Sequence, residues 1–136
     1  CDVVLVVDYI GSFSLRADWV EELRAAGAEV LFFNPVLPSS ACVGPWPFRD
    51  HRKTMICDST GFCGGMNLHE DSGETIYGTS KFYDVHARLE GPCVADLADV
   101  FRDSLCEAGN RVVRPSIPVP PHIEHGVYVQ ILQSNV

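Results

Sequence analysis

The sequence predicts an α/β fold in which helices flank a mixed, largely parallel β-sheet that includes one β-hairpin. First, short runs of β-branched and aromatic residues alternate along the chain with segments whose apolar residues recur every three to four positions. Second, the 136 residues, 46% of them hydrophobic and 21% charged, suffice for one domain with a buried core.

The first strand is predicted at residues 3–7, an uninterrupted apolar run bounded by Asp8 and Gly11. Such a run is typical of a strand that is buried on both faces. A second run, at residues 29–33, ends at Asn34 and is a predicted strand for the same reason. Because a helical segment separates the two runs, we expect a βαβ unit with parallel strands.

Two segments have the periodicity of a helix. The first lies between the predicted strands and is followed by Gly27 as a stop. Its apolar face, which we expect in the core, consists of Trp19, Val20, Leu23 and Ala26. The second is predicted at residues 92–107, with Gly109 just past its end. Its apolar face, which we expect to cover the sheet, consists of Val94, Leu97, Phe101 and Leu105.

The region between the helices is predicted to contain a hairpin and two loops. Residues 52–57 and 61–64 are apolar stretches at hairpin spacing. The proline-rich residues 35–48 and the polar residues 69–80 are predicted loops.

The chain divides into three predicted parts. Residues 1–110 form the main domain, residues 111–125 a Pro-rich linker, and residues 126–136 a strand that begins a further part of the fold. The chain opens at Cys1 on a strand-like run and stops in another, so we expect an internal fragment of a longer protein.

The net charge and the length of the apolar runs limit the classes of partner that the chain is expected to bind. With 10 basic and 18 acidic side chains the net charge is −8, which argues against binding a nucleic-acid backbone. One local basic spot is nevertheless expected, because Arg49, Arg52 and Lys53 lie within five positions. The longest unbroken apolar run, residues 3–7, is far short of the ~20 residues that span a membrane, so membrane contact is expected to be peripheral.

Metal and cofactor chemistry is not indicated. The six cysteines form no Cys-x-x-Cys pair, and reduced, mostly buried thiols are expected. The close histidine pair, His122 and His125, has no third ligand nearby. We therefore expect neither a metal site nor a cofactor.

The segment richest in chemistry is residues 51–67, which read HRKTMICDSTGFCGGMN. On a strand, His51 and Lys53 project from the same face because they are two positions apart. A neutral imidazole can attack phosphorus, and a lysine ammonium can hold the non-bridging oxygens of a phosphate. The pair therefore indicates phosphate chemistry.

Two further features of this segment agree with a phosphate site. The Asn67 amide can donate to the same oxygens without adding charge. Gly64 and Gly65 lack β-carbons, so that backbone and ligand can approach closely.

These residues resemble the phospholipase D superfamily, whose signature is a His-x-Lys pair, an Asp after four intervening residues, and a Gly-Gly-x-Asn turn. The matching positions are His51, Lys53, Asp58, Gly64, Gly65 and Asn67. The flanks resemble the cardiolipin synthase branch, with an acidic pair at Glu70 and Asp71 and the stretch at residues 84–101. In that stretch His86 is expected to have a packing role. The resemblance covers roughly residues 3–105.

The resemblance implies a phospholipase D-like half domain that displaces a phosphodiester in two steps through a phosphohistidine. His51 is the implied nucleophile, or else the general acid that protonates the leaving oxygen. Lys53, Asn67 and Gly65 are implied to bind the phosphate, and Asp58 is expected to have a supporting role in catalysis. Glu70 or Asp71 is implied to hold an imidazole nitrogen and fix its tautomer.

The resemblance also implies the partners. The expected substrate is a glycerophospholipid at a peripheral membrane surface, as for a cardiolipin synthase-like phosphatidyltransferase or phosphodiesterase. Superfamily enzymes use two copies of the motif, so a second copy is expected in the same parent chain or in a homodimer partner. The compartment is not indicated by the sequence.

Two alternatives stay open. One is a one-motif phosphodiesterase or nuclease that is completed by dimerisation. The other is a non-catalytic binding domain, which is favoured by a shortened turn: five residues rather than the usual six separate Asp58 from the glycine pair. Hydrolysis and transfer are both compatible with the motif, since water access to the intermediate decides between them.

Overall fold

The computed structural model describes residues 1–35, 49–68, 84–110 and 119–133. These residues contain five strands and two helices, and they belong to two compact units. The first unit contains residues 1–35, 49–51 and 101–110, and the second contains residues 52–68, 84–100 and 119–133.

The first unit is built on a βαβ unit. Strands β1 (Val4–Asp8) and β2 (Glu29–Phe33) are parallel and pair along their whole lengths. Helix α1 (Ala17–Ala25) connects them. The prediction of a βαβ unit with parallel strands is confirmed.

Helix α1 buries less of its apolar face than its sequence predicts. Val20 is 5% exposed, but Trp19 and Leu23 are 52% and 39% exposed. The expectation that the whole face lies in the core is therefore wrong. The Arg16 guanidinium lies over the Trp19 ring, 5.4 Å from its centroid, in a cation–π arrangement. Gly27 follows the helix with φ 94°, a conformation that glycine adopts without steric cost, as expected for the stop.

The second unit contains a three-stranded antiparallel sheet with the order β3-β4-β5. Its strands are β3 (Thr54–Cys57), β4 (Thr60–Gly64) and β5 (His86–Glu90). Cys57 pairs with Thr60, so a two-residue turn closes the predicted hairpin, which is confirmed. Strand β5 was not predicted, because its sequence HARLE contains no β-branched residue and two charged ones, although its polar and apolar residues alternate.

Helix α2 (Cys93–Glu107) confirms the second predicted helix. In the second unit it packs on the sheet at Gly61, where an added β-carbon would lie 2.8 Å from Leu97 Cδ2 and 3.5 Å from Val94 Cγ1. Val94 and Leu97 are almost completely buried. In the first unit the last turns of α2 bury Leu105.

The α/β class is confirmed, but the sheet arrangement differs from the expected single, largely parallel sheet. The described strands form two sheets, and of their pairs β1–β2 is parallel while β3–β4 and β4–β5 are antiparallel. The difference arises because the hairpin pairs with β5 and, among the described strands, not with β1 or β2.

Several sequence predictions concern segments that lie wholly or partly outside the described residues. Residues 36–48, 69–80 and 111–118 lie outside the described residues. Residues 126–133 are described and pair with no other described strand, so the proposed linker and second half stay predictions.

Two surface features complete the description. None of the described helices is long and apolar enough to span a membrane. The five described cysteines are free thiols, and the expectation that most are buried is wrong, because Cys1, Cys57 and Cys106 are exposed.

Candidate functional site

The hairpin places Lys53 across from Gly64. Thr54, the first residue of β3, pairs with Cys63, and the Gly64 N–H donates to the Lys53 carbonyl oxygen at 3.4 Å. Gly64 in turn pairs with His86 on β5. Lys53, Gly64 and His86 thus form a row across the three strands at one end of the sheet.

The glycine pair permits an unusually close approach of β5. A β-carbon on Gly64 would lie 2.2 Å from the Val85 carbonyl oxygen and 2.6 Å from His86 Cα. One on Gly65 would lie 2.3 Å from Asp84 Oδ1. The Gly65 N–H donates to the Val85 carbonyl oxygen at 3.0 Å. The space left by the missing side chains is therefore occupied by residues 84–86 of the chain itself.

His86 has an unsatisfied ring nitrogen in this row. Its Nδ1 is buried, has no hydrogen-bond partner among the described residues, and lies 2.9 Å from the position that a β-carbon on Gly64 would take. Buried polar atoms without a partner are rare in folded proteins. A packing role therefore explains why His86 lies beside Gly64. It does not explain why the buried Nδ1 has no hydrogen-bond partner among the described residues.

The other predicted site residues are spread along the hairpin. Asn67 follows β4 and is exposed. Asp58 is exposed in the turn between β3 and β4, with φ 53°. At ~3.3 Å per residue it lies roughly 16 Å along the strand from Lys53. The structure does not bring Asp58 to the Lys53 end, and its supporting role in catalysis stays a prediction. Glu70 and Asp71 lie outside the described residues.

His51 lies in the first unit, where it is exposed and directly follows two residues with partners far away in sequence. Arg49 donates from Nε to Asp8 Oδ2 at 2.8 Å. Its terminal nitrogens donate to the carbonyl oxygens of Asn34, at 3.0 Å, and Phe33, at 3.2 Å. Arg49 therefore bridges the carboxyl ends of β1 and β2.

The Asp8 carboxylate is the centre of this arrangement. It accepts the Gly11 N–H at 2.7 Å and the Asp50 N–H at 3.2 Å in addition to Arg49. Burial by itself raises the pKa of Asp8, but the hydrogen bonds and the charge of Arg49 outweigh it and hold that pKa below its ordinary value. Asp50 accepts a hydrogen bond from Ser104 Oγ at 2.7 Å.

The sequence did not predict these contacts. Asp8 and Arg49 are 41 positions apart, and Asp50 and Ser104 are 54 positions apart. The positive charge expected from Arg49 in the basic spot is also partly neutralised, because Arg49 forms an ion pair with Asp8. In the part of the chain that the structure describes, no cluster of histidine, cysteine and acidic side chains is arranged to hold a metal ion.

Curated proteins with similar sequences include cardiolipin synthases of several bacteria. That of Geobacillus kaustophilus is 35% identical over 128 residues, which cover 89% of this chain and 24% of that protein. Cardiolipin synthase A of Pseudomonas fluorescens is 33% identical over 138 aligned residues, which cover 96% of this chain and 27% of that protein. This chain is related to the cardiolipin synthases. The relationship to the phospholipase D superfamily predicted from residues 51–67 is thereby confirmed.

The cardiolipin synthase-like chain spans about a quarter of the length of these curated relatives. The same holds for cardiolipin synthase 2 of Bacillus cereus, which is 33% identical over 119 residues. These residues cover 83% of this chain and 22% of that protein. No protein-family model and no solved structure matches the chain.

Within this cardiolipin synthase-like chain, the motif residues fall into two described groups. Lys53, the glycine pair and Asn67 belong to the second unit, at the end of the sheet where β5 approaches β4. His51 belongs to the first unit, at the end of the segment that Asp8 and Arg49 hold.

Proposed function

We propose that this chain is one catalytic half of a phosphatidyltransferase that acts on glycerophospholipid phosphodiesters at a membrane surface. The observation that carries the proposal is the similarity to cardiolipin synthases over 83–96% of the chain, in three relatives at 33–35% identity. The presence of His51, Lys53 and Asn67 in the superfamily pattern supports an active half rather than an inactive one.

In the proposed reaction an imidazole nitrogen bonds to phosphorus while the bond from phosphorus to the departing alcohol oxygen breaks. That oxygen takes a proton from a general acid and leaves as the alcohol. The hydroxyl of a second lipid then attacks the phosphohistidine and gives up its proton to the same group, while the phosphorus–nitrogen bond breaks, so that the phosphatidyl group passes to this lipid and the free imidazole is restored. His51 is either the nucleophile or the acid, and the histidine of a second motif takes the other role.

Lys53 and Asn67 are proposed to bind the non-bridging oxygens. An ammonium and a neutral amide stabilise the charge that these oxygens carry as phosphorus becomes five-coordinate. The hydrogen bond from Gly64 to the Lys53 backbone supports this role, because it fixes the point from which the lysine side chain extends. The second motif is proposed to come from the same parent chain or from a homodimer partner.

The test is conversion of phosphatidylglycerol vesicles by the full-length protein, followed by mass spectrometry of the lipids. Cardiolipin with released glycerol indicates transfer, and phosphatidic acid indicates hydrolysis. His51→Ala and Lys53→Ala are expected to lower turnover by at least a hundredfold, as is typical when a nucleophile, an acid or a charge-stabilising donor is removed. His122→Ala is the matched control, since His122 is an exposed histidine outside the motif.

Other outcomes identify the alternatives. Unchanged turnover in His51→Ala contradicts the mechanism. Cleavage of DNA or RNA that weakens steeply with salt, without lipid conversion, supports the nuclease alternative. A protein that does neither, and whose Lys53→Ala variant binds ligand as the wild type does, supports the non-catalytic binding domain.

A further inference from the structure

Both residues that precede His51 are fixed by distant parts of the chain. Arg49 is held by the Asp8 carboxylate and by two carbonyl oxygens at the end of β2. Asp50 is held at its N–H by Asp8 and at its carboxylate by Ser104 on α2. The backbone that leads into His51 is therefore tied to two strands and a helix of its own unit.

The Asp8–Arg49 pair is better protected from water than a typical surface ion pair. The side chains of Arg49 and Asp8 are 24% and 11% exposed, whereas those of the Arg16–Asp18 pair in the same unit are 63% and 52% exposed. Water and salt weaken exposed pairs, and many of those contribute nothing measurable. A half-buried arginine with three acceptors has one preferred geometry, because its donors form a rigid fork.

We propose that Asp8 and Arg49 are positioning residues that fix His51 for catalysis. The inference rests on the proposed function and adds two residues that lie outside the superfamily motif. A reacting group must be held within a fraction of an ångström, and a misplacement of about 1 Å can lower a rate about a hundredfold. The hydrogen bonds that Arg49 Nε and the Asp50 N–H donate to Asp8 restrict the movement of the backbone immediately before His51.

The test compares Asp8→Asn with Asp18→Asn in the full-length protein on phosphatidylglycerol vesicles. Asparagine keeps the size of Asp8 and an acceptor for Gly11, but its amide nitrogen faces the Arg49 donor and breaks that hydrogen bond. We expect kcat per folded molecule to fall about tenfold to a hundredfold, with KM within about twofold of wild type. Asp18→Asn removes the same charge from an exposed pair and is expected to leave kcat unchanged.

Substitution of Arg49 provides the second measurement. Lysine keeps a positive charge near Asp8, but its three donors lie on one nitrogen, whereas Asp8 and the carbonyl oxygens of Phe33 and Asn34 are bonded by three separate nitrogens of the rigid Arg49 fork. We expect kcat to decrease in the order wild type, Arg49→Lys, Arg49→Met. The folded fraction of each variant is measured by circular dichroism, so that lost protein is not counted as lost turnover.

The outcomes separate the inference from the proposed function. A wild-type protein that converts no lipid contradicts the proposed function, and the inference fails with it. An active wild type with unchanged kcat in Asp8→Asn contradicts the inference alone, as does a raised KM with unchanged kcat. Should Asp8→Asn not fold, Arg49→Lys decides: wild-type kcat refutes the positioning role, and a reduced kcat per folded molecule supports it.

Discussion

Replacing Gly64 with alanine tests the close approach of β5 to β4. The new β-carbon would lie 2.2 Å from the Val85 carbonyl oxygen and 2.6 Å from His86 Cα, both of them backbone atoms. Neither atom can rotate away as the tip of a side chain can. The β5 backbone must therefore recede by about 1 Å to restore a normal contact distance.

The cost follows from overpacking and from lost hydrogen bonds. Forcing an extra methyl group into a packed site costs about 1–3 kcal/mol. Receding also weakens the hydrogen bond from the Gly65 N–H to the Val85 carbonyl oxygen, which contributes about 0.5–1.5 kcal/mol. We therefore expect Gly64→Ala to lower the free energy of opening of the β4–β5 pair by about 2–4 kcal/mol.

Hydrogen exchange of the full-length protein measures the free energy of opening of the β4–β5 pair at individual amides. A loss of about 2–4 kcal/mol corresponds to roughly 30- to 700-fold faster exchange of the amides in β4 and β5. Gly61→Ala is the matched control on the same strand, since its β-carbon would meet the flexible end of Leu97 at 2.8 Å. A Gly64→Ala protein that exchanges no faster than Gly61→Ala refutes the reasoning.

Three further changes have expected outcomes. Leu97→Ala should lower the free energy of unfolding by about 2–5 kcal/mol in urea titrations, because Leu97 is 2% exposed and leaves a cavity. Asn110→Ala should cost about 1–3 kcal/mol in thermal melting, since it removes the 2.7 Å hydrogen bond to Glu29 Oε1. Because the pKa of Asp8 is lowered in the folded state, its contribution to stability is present above about pH 4 and is lost as the pH falls through the folded pKa. Asp8→Asn should lack that part of the acid destabilisation in melts between about pH 3 and 7, and an unchanged acid profile would contradict it.

The elements with local signals were predicted correctly. Helix α2 follows from apolar residues three to four positions apart and a glycine just past its end, and both signals lie within one segment. The hairpin follows from two apolar stretches and the polar residues between them, and the structure closes it at Asp58 and Ser59. The motif residues are likewise a local pattern, since residues 51–67 contain His51, Lys53 and Asn67 together.

The sequence by itself therefore determined the α/β class, both helices, the parallel βαβ unit and the relationship to cardiolipin synthases, because each is encoded in neighbouring residues or in a short motif. The tertiary structure decided that β5 joins β4, that Trp19 stays exposed, and that Asp8 pairs with Arg49. Each of these depends on a packing partner that local periodicity does not specify. Groups 41 positions apart meet only when the fold brings them together, and a charge taken out of water without its partner is costly, so only the folded chain reveals the pair.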